Sequence, residues 1–93
     1  MDKKKELGLQ ITKNEKRYAA CEEIVTLIDV ALGALKVAKK HQSTVYDINV
    51  ATDEISGDML TIIYDLLSMK EEYSDIASEI ADDIAKARKE REE

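Results

Sequence analysis

Apolar and polar residues alternate with a helical period along the C-terminal third of the chain. Apolar side chains recur there, in alternating steps of three and four, at Met59, Ile62, Leu66, Met69, Tyr73, Ile76 and Ile80. This is the spacing of a heptad seam, in which the same face of a helix returns every seven residues. The pattern predicts a long helix over residues 58–91 that packs against at least one other helix.

A second long helix is predicted over residues 12–40. Thr12 and Glu15 have the spacing of a capping box, which favours a helix that begins at Thr12. Two apolar stripes follow, one formed by Tyr18, Cys21, Val25, Ile28, Leu32 and Leu35 and the other by Ala20, Ile24, Leu27, Ala31, Ala34 and Ala38. A helix that is apolar over so much of its circumference is expected to be covered on more than one side.

The pattern is weaker at the N-terminus. Residues 1–11 are basic and contain Gly8, which disfavours a helix, so a flexible N-terminus is predicted. Their alternating apolar residues also permit a two-stranded pairing of residues 7–11 with residues 46–50, which is the alternative interpretation.

The helical pattern also changes near the middle of the chain. Continuing the first seam beyond Leu35 would place the polar residues Lys39 and Gln42 at apolar positions. A turn is therefore predicted over residues 41–44. Residues 45–56 fit either a short middle helix or an irregular segment.

Together these elements predict an all-α protein that forms one helical domain over residues 1–93. Its fold would be a long helical hairpin, with or without the short middle helix. Both helices are more apolar than a single hairpin can bury, so we expect a homodimer that forms an antiparallel four-helix bundle. The residues expected at the interface are Tyr18, Cys21, Val25, Ile28, Leu32, Leu35, Ile62, Leu66, Met69, Tyr73, Ile76 and Ile80.

Composition and charge narrow the classes of partner. The net charge of −6 is uneven, because residues 1–44 carry nine Lys or Arg against six Asp or Glu, whereas residues 45–93 carry five against fourteen. An acidic protein is a poor direct binder of nucleic acid, and a protein partner with a basic surface is expected instead. No stretch resembles a signal peptide or a membrane span, and the single Cys21 cannot form an internal disulfide. These features predict a cytoplasmic protein that does not bind membranes.

The acidic residues of the second helix are regularly spaced. An acidic face is predicted from Asp58, Asp65, Glu72, Asp75, Glu79 and Asp82. Four of these, Glu72, Asp75, Glu79 and Asp82, are candidate ligands for a hard cation such as Mg²⁺. The run Glu71-Glu72-Tyr73-Ser74-Asp75 resembles the E-E-x-x-D motif of the all-α nucleoside-triphosphate pyrophosphohydrolases. That resemblance implies Mg²⁺-dependent nucleotide hydrolysis, but the E-x-x-E motif of the family is absent, since Thr26 follows Glu23 at that spacing.

No catalytic set is present in the sequence, which contains one His and one Cys. The leading hypothesis is a non-enzymatic interaction protein without a cofactor, a regulator or adaptor of bacterial or phage type that acts through protein–protein contacts. One alternative is an acidic inhibitor that mimics nucleic acid at a basic site of a partner enzyme. The other is a Mg²⁺-dependent nucleotide hydrolase.

Overall fold

The protein is described by a computed structural model that covers residues 2–46 and 57–92. Two α-helices account for nearly all of these residues: α1 is Lys3–Tyr46 and α2 is Gly57–Glu92. Neither described range contains a β-strand. The all-helical prediction is confirmed, and a helical hairpin agrees with the structure. The Cα atoms span 68 × 16 × 15 Å, a rod two helices wide.

The two helices run antiparallel, since residues later in α1 contact residues earlier in α2. Glu15 of α1 lies beside Arg88 of α2, and Asp29 lies beside Lys70. The interior of the described helices forms two clusters. The first contains the buried residues Leu7, Ile11, Cys21, Ala77, Ile80, Ile84 and Ala87, and the second contains Ile28, Leu32 and Ile63. Tyr73 packs against both clusters and joins them.

The prediction of a flexible N-terminus over residues 1–11 is wrong for the part that the structure describes. Asp2 caps α1, since its Oδ1 accepts a hydrogen bond from the Lys4 backbone N–H at 3.0 Å. Leu7 and Ile11 are buried against α2. Their burial outweighs the helix propensity cost of Gly8, about 1 kcal/mol. The pairing of residues 7–11 as a β-strand is likewise excluded.

The predicted start of the first helix at residue 12 is therefore wrong as well. Thr12 lies within the helix, and its hydroxyl donates to the Gly8 carbonyl at 3.0 Å instead of capping a first turn. The same intrahelical bond, from a hydroxyl to the carbonyl four residues earlier, is made by Thr26 to Glu22 at 3.0 Å. Such bonds are ordinary for threonine inside a helix.

The turn predicted over residues 41–44 is also wrong, because α1 continues to Tyr46. The seam accepts polar residues there, since Lys39 and Gln42 are both half-buried. The aliphatic stem of a lysine can lie along an apolar surface while its ammonium group stays in water. Val45 and Tyr46 lie in α1, and the rest of the segment 45–56 lies outside the described residues. At its other end, the predicted helix over residues 58–91 agrees with α2 to within one residue.

The face that α2 turns toward α1 differs in phase from the predicted seam. The observed face follows Ile63, Leu66, Lys70, Tyr73, Ala77, Ile80, Ile84 and Ala87, all buried or half-buried. Ile62 and Met69, which the sequence placed on the seam, are 46% and 41% exposed. The two seams differ most clearly near the C-terminal end of α2. The predicted seam continues to Asp83, whereas the observed seam continues to the buried Ile84.

Candidate functional site

The two long edges of the hairpin, where the surfaces of α1 and α2 meet, differ in chemistry. On one edge Lys70 Nζ lies 2.7 Å from Asp29 Oδ1, and Arg88 Nη2 donates to Glu15 Oε2 at 3.2 Å. We call this the ion-pair edge. The partners are between 39% and 55% exposed, so solvent screens both pairs and each adds little stability.

The opposite edge is polar at one end, where Gln10 of α1 meets Asp83 and Glu90 of α2 in a shallow groove. Residues separated by multiples of seven share one side of such a helix. Toward the other end of the hairpin, this edge therefore consists of Ile24, Ala31, Ala38, Ile62, Met69 and Ile76. We call these six residues the apolar edge.

The apolar edge occupies only one half of the hairpin. That half comprises residues 24–46 and 57–76, next to the segment 47–56 that joins the helices, and we call it the linker half. The terminal half comprises residues 2–23 and 77–92. Along the same edge, the terminal half presents Gln10, Arg17, Asp83 and Glu90. The chemistry thus changes from apolar to charged midway along the rod.

Further apolar side chains extend this surface around α1. Leu27 and Ala34 are exposed on the row beside the apolar edge, and Val30 and Val37 are exposed on the next row. Leu27 is 57% exposed. A monomeric protein tolerates scattered exposed apolar residues, but a contiguous group of them typically marks a surface that binds another protein.

A row of carboxylates borders the apolar edge on α2. Asp65, Glu72 and Glu79 are exposed, and each follows a residue of the apolar edge by three positions. Asp75 and Asp82 are exposed farther around the helix. For Asp58 the structure describes only its place in the first turn of α2. The described carboxylates of the predicted acidic face therefore form the polar border of an apolar surface, an arrangement common in protein interfaces.

The four candidate metal ligands do not converge. Along the helix, Glu72 and Asp82 are ten residues, and hence about 15 Å, apart. In residues 2–46 and 57–92, no group of three His, Cys, Asp or Glu side chains could hold a metal ion. Glu71 and Glu72 of the motif that resembles the pyrophosphohydrolases are exposed on α2.

A groove on the ion-pair edge has a volume of about 430 Å³. It is lined by Tyr18, Glu22, Val25, Thr26, Ser74, Ala77, Ser78 and Ala81. A hydrogen bond to the Glu22 carboxylate, followed by the negative charge of that carboxylate and by slight burial, raises the pKa of Tyr18 above its ordinary value. The lining contains no His, Cys, Lys or Arg, so it offers no cation for a phosphate, and its one carboxylate, Glu22, is hydrogen-bonded to Tyr18.

The predicted interface residues fall into three groups, which are buried, half-buried and exposed. Cys21, Ile28, Leu32 and Ile80 are buried between the two helices of one chain, which leaves little of their surface for a second chain. Tyr18, Val25, Leu35, Leu66, Tyr73 and Ile76 are half-buried, and Ile62 and Met69 are exposed. Among these residues, Ile62 and Met69 therefore have the most surface for another protein. They are the residues that the sequence placed on the α2 seam and that the structure places outside it.

Sequence reasoning did not separate the apolar edge from the interior. The signal was present, because Ile62, Met69 and Ile76 flank the α2 seam, and charged residues replace them at Asp83 and Glu90. The Ala-rich second stripe of α1 was recognised, and it supplies the α1 side of this edge.

Comparison of the chain with protein-family models, with curated proteins and with solved structures finds no match. Neither α1 nor α2, as far as the structure describes them, combines the length and the apolar character that a helix needs to cross a membrane.

Proposed function

We propose that the protein is a non-enzymatic interaction protein, a small regulator or adaptor that acts through the surfaces of its two helices. The observation that carries the proposal is the apolar edge, where Ile62 and Met69 remain 46% and 41% exposed after the hairpin has formed. The groove on the ion-pair edge offers no cation for a phosphate, whereas the apolar edge has the character of a surface that binds another protein.

Self-association is the proposed first step of this function. A few hundred Å² of exposed apolar surface costs several kcal/mol, at about 25 cal/mol per Å². Two hairpins that pack side by side would remove this surface from water and form an antiparallel four-helix bundle. The cytoplasmic setting predicted from the single cysteine belongs to the same proposal.

Sedimentation equilibrium of the full chain at micromolar concentrations tests self-association. We expect a mass of twice the 10.5 kDa of one chain. A single species with the mass of one chain across this range would overturn the proposal. Circular dichroism on the same samples checks that the chain is helical, so that aggregation of an unfolded chain is not mistaken for assembly.

A second candidate function is supported by the exposed row of carboxylates. Asp65, Glu72, Asp75, Glu79 and Asp82 could act as phosphate surrogates at the basic site of a nucleic-acid enzyme. Binding of this kind weakens steeply with salt. The test compares binding by the native chain to a basic nucleic-acid-binding surface with that of a variant in which these five residues are Asn or Gln. Equal affinities would exclude this function.

A further inference from the structure

We infer that a second copy of this chain docks on the apolar edge, with α2 of each copy packed over α1 of the other and both linker segments at the same end of the dimer. This inference rests on the proposed self-association. It adds which surface is buried, which half of the rod carries that surface and how the two copies are oriented.

The extent of the apolar edge matches an occupant that is two helices wide. The edge runs over 15 residues of each helix, or about 22 Å, in the linker half. Two helices packed about 10 Å apart make it about 20 Å wide, which gives roughly 450 Å² per chain. A stable interface buries about 800 Å² per partner, and the exposed Leu27, Val30, Ala34 and Val37 beside the edge add to the area available. A single bound helix would cover only half of this width, whereas the same edge of a second copy covers all of it.

The sizes of the side chains on the edge are complementary between the two helices. The α1 side offers the small residues Ala31 and Ala38, and the α2 side offers the large residues Ile62 and Met69. A two-fold axis parallel to the rod places α2 of one copy over α1 of the other at the same level. The large side chains of each copy then enter the space above the alanines of the other, as in ridges-into-grooves packing.

Charge distinguishes this orientation from the opposite one. If the two linker segments lay at opposite ends, α2 would pack over α2, and the rows containing Asp65 and Glu72 in the two copies would face each other. Like charges placed together across an interface are unfavourable. With the linker segments at the same end, the row on α2 faces the neighbourhood of Leu27 and Ala34 on the other copy, where α1 carries no carboxylate on that row.

The change in chemistry along the edge also disfavours the opposite orientation. If the two rods overlapped over their full length in that orientation, Ile62 and Met69 of one copy would lie against Asp83 and Glu90 of the other. Burial of carboxylates against an apolar surface without partners is costly. The change from apolar to charged residues midway along the rod therefore selects pairing of linker half with linker half.

Two matched double variants of α2 test the docking surface. The first, Ile62→Lys with Met69→Lys, places charge on the apolar edge. The control, Tyr64→Lys with Leu67→Lys, makes the same change in charge on the same helix, at residues that are 64% and 44% exposed and lie away from that edge. Sedimentation equilibrium should show dimerisation at least about 30-fold weaker in the first variant and within about threefold of the native chain in the control. Equal effects in the two variants, or a larger effect in the control, would overturn the inferred surface.

A fluorescent reporter covers the case in which the first variant fails to fold. The chain has no Trp, so Met69→Trp and Leu67→Trp each introduce a single indole. When the protein concentration rises through the dimerisation range, the emission of the Met69→Trp variant should shift to shorter wavelength, and that of the Leu67→Trp variant should not. The reverse pattern, or no shift in either variant, would overturn the inferred surface.

The orientation is tested by a distance between copies. Lys5→Cys in a Cys21→Ala background carries one spin label per chain in the terminal half. With the linker segments at the same end, the two labels lie within the width of a four-helix bundle, about 20–35 Å. In the opposite orientation they lie roughly 75–80 Å apart, because residue 5 is about 26 residues from the middle of the apolar edge. A long distance would overturn the orientation alone, whereas a native chain that stays monomeric would overturn the proposed function as well.

Discussion

Lys70 occupies an inward-facing position of α2 and directs its ammonium group outward to Asp29 of α1, with 2.7 Å between Nζ and Oδ1. Its aliphatic stem fills a place that an apolar residue would otherwise take, and its charge leaves the interior at the edge. The pair sits near the middle of the rod. It marks the register in which α1 and α2 pack against each other.

A double-mutant cycle with Asp29→Asn and Lys70→Gln should give a coupling energy of about 0.5–1 kcal/mol at low salt. The value should fall as salt is added, because both groups are partly exposed and screened. The measurement is urea unfolding at constant protein concentration. The matched control is the cycle of Glu15→Gln with Arg88→Gln, where the 3.2 Å contact is longer and the Arg88 side chain is more exposed than Lys70. A larger coupling in the control would contradict this interpretation.

Alanine in place of Gly33 should stabilise the protein by about 0.5–1 kcal/mol. Gly33 lies inside α1, and an added Cβ would meet nothing within 4 Å, so the change removes the entropic cost of glycine without a clash. Thermal unfolding should show the gain as a higher Tm. Gly8→Ala is the comparison, because there the Cβ would lie 3.4 Å from Arg91 Nη1, the mobile end of a long side chain. A lower Tm for Gly33→Ala would mean that this position is covered by another chain.

Truncation of Ile80 to Ala should destabilise the protein by about 2–5 kcal/mol. Ile80 is 3% exposed in the cluster of the terminal half, and its loss would leave a cavity. Leu9→Ala is the control, since Leu9 is 64% exposed in the same half and should change stability by no more than about 0.5 kcal/mol. Denaturant unfolding of both variants checks the prediction, and similar losses in the two would show that Leu9 is buried in an assembly.

Glu22→Gln should lower the pKa of Tyr18 toward the ordinary value for tyrosine, because the hydrogen bond to the carboxylate and the charge of the carboxylate both raise it. Absorbance of tyrosinate during an alkaline titration measures this change. Glu23→Gln, at the next position, is the control and should leave the titration unchanged. Because the folded pKa is raised, the contribution to stability is present below the ordinary pKa of tyrosine and is lost as pH rises through the raised value. An unchanged titration in Glu22→Gln would show that the contact does not form in solution.

The sequence predicted two long helices because their apolar stripes are continuous over many turns, and the structure contains both. It did not predict that α1 begins at Lys3, since the propensity cost of Gly8 is local, whereas the compensating burial of Leu7 comes from α2. It did not predict that α1 passes through Lys39 and Gln42, because both count as polar in the pattern, whereas in the structure both side chains are half-buried along the seam.

The phase of α2 was the hardest feature to predict. Leu66, Tyr73 and Ile80 belong to both possible seams, and apolar residues lie on either side of them. Only the residues near the C-terminus, where Ile84 is buried and Asp83 is not, separate the two. The location of the apolar edge depends on which seam faces α1. Ile62, Met69 and Ile76 belong to the predicted seam only, and in the structure they form the α2 side of the apolar edge.

The division of the interior into two clusters joined at Tyr73 has a consequence for how the rod opens. Among residues 2–46 and 57–92, the cluster of the terminal half contains seven buried residues, and that of the linker half contains three. Segments with few buried contacts open at lower free energy than the rest of a molecule. In an isolated chain, amide hydrogens of residues 24–46 should therefore exchange with deuterium sooner than those near Ile80. In the proposed dimer this difference should shrink or reverse, because a second copy docked on the apolar edge would cover the linker half.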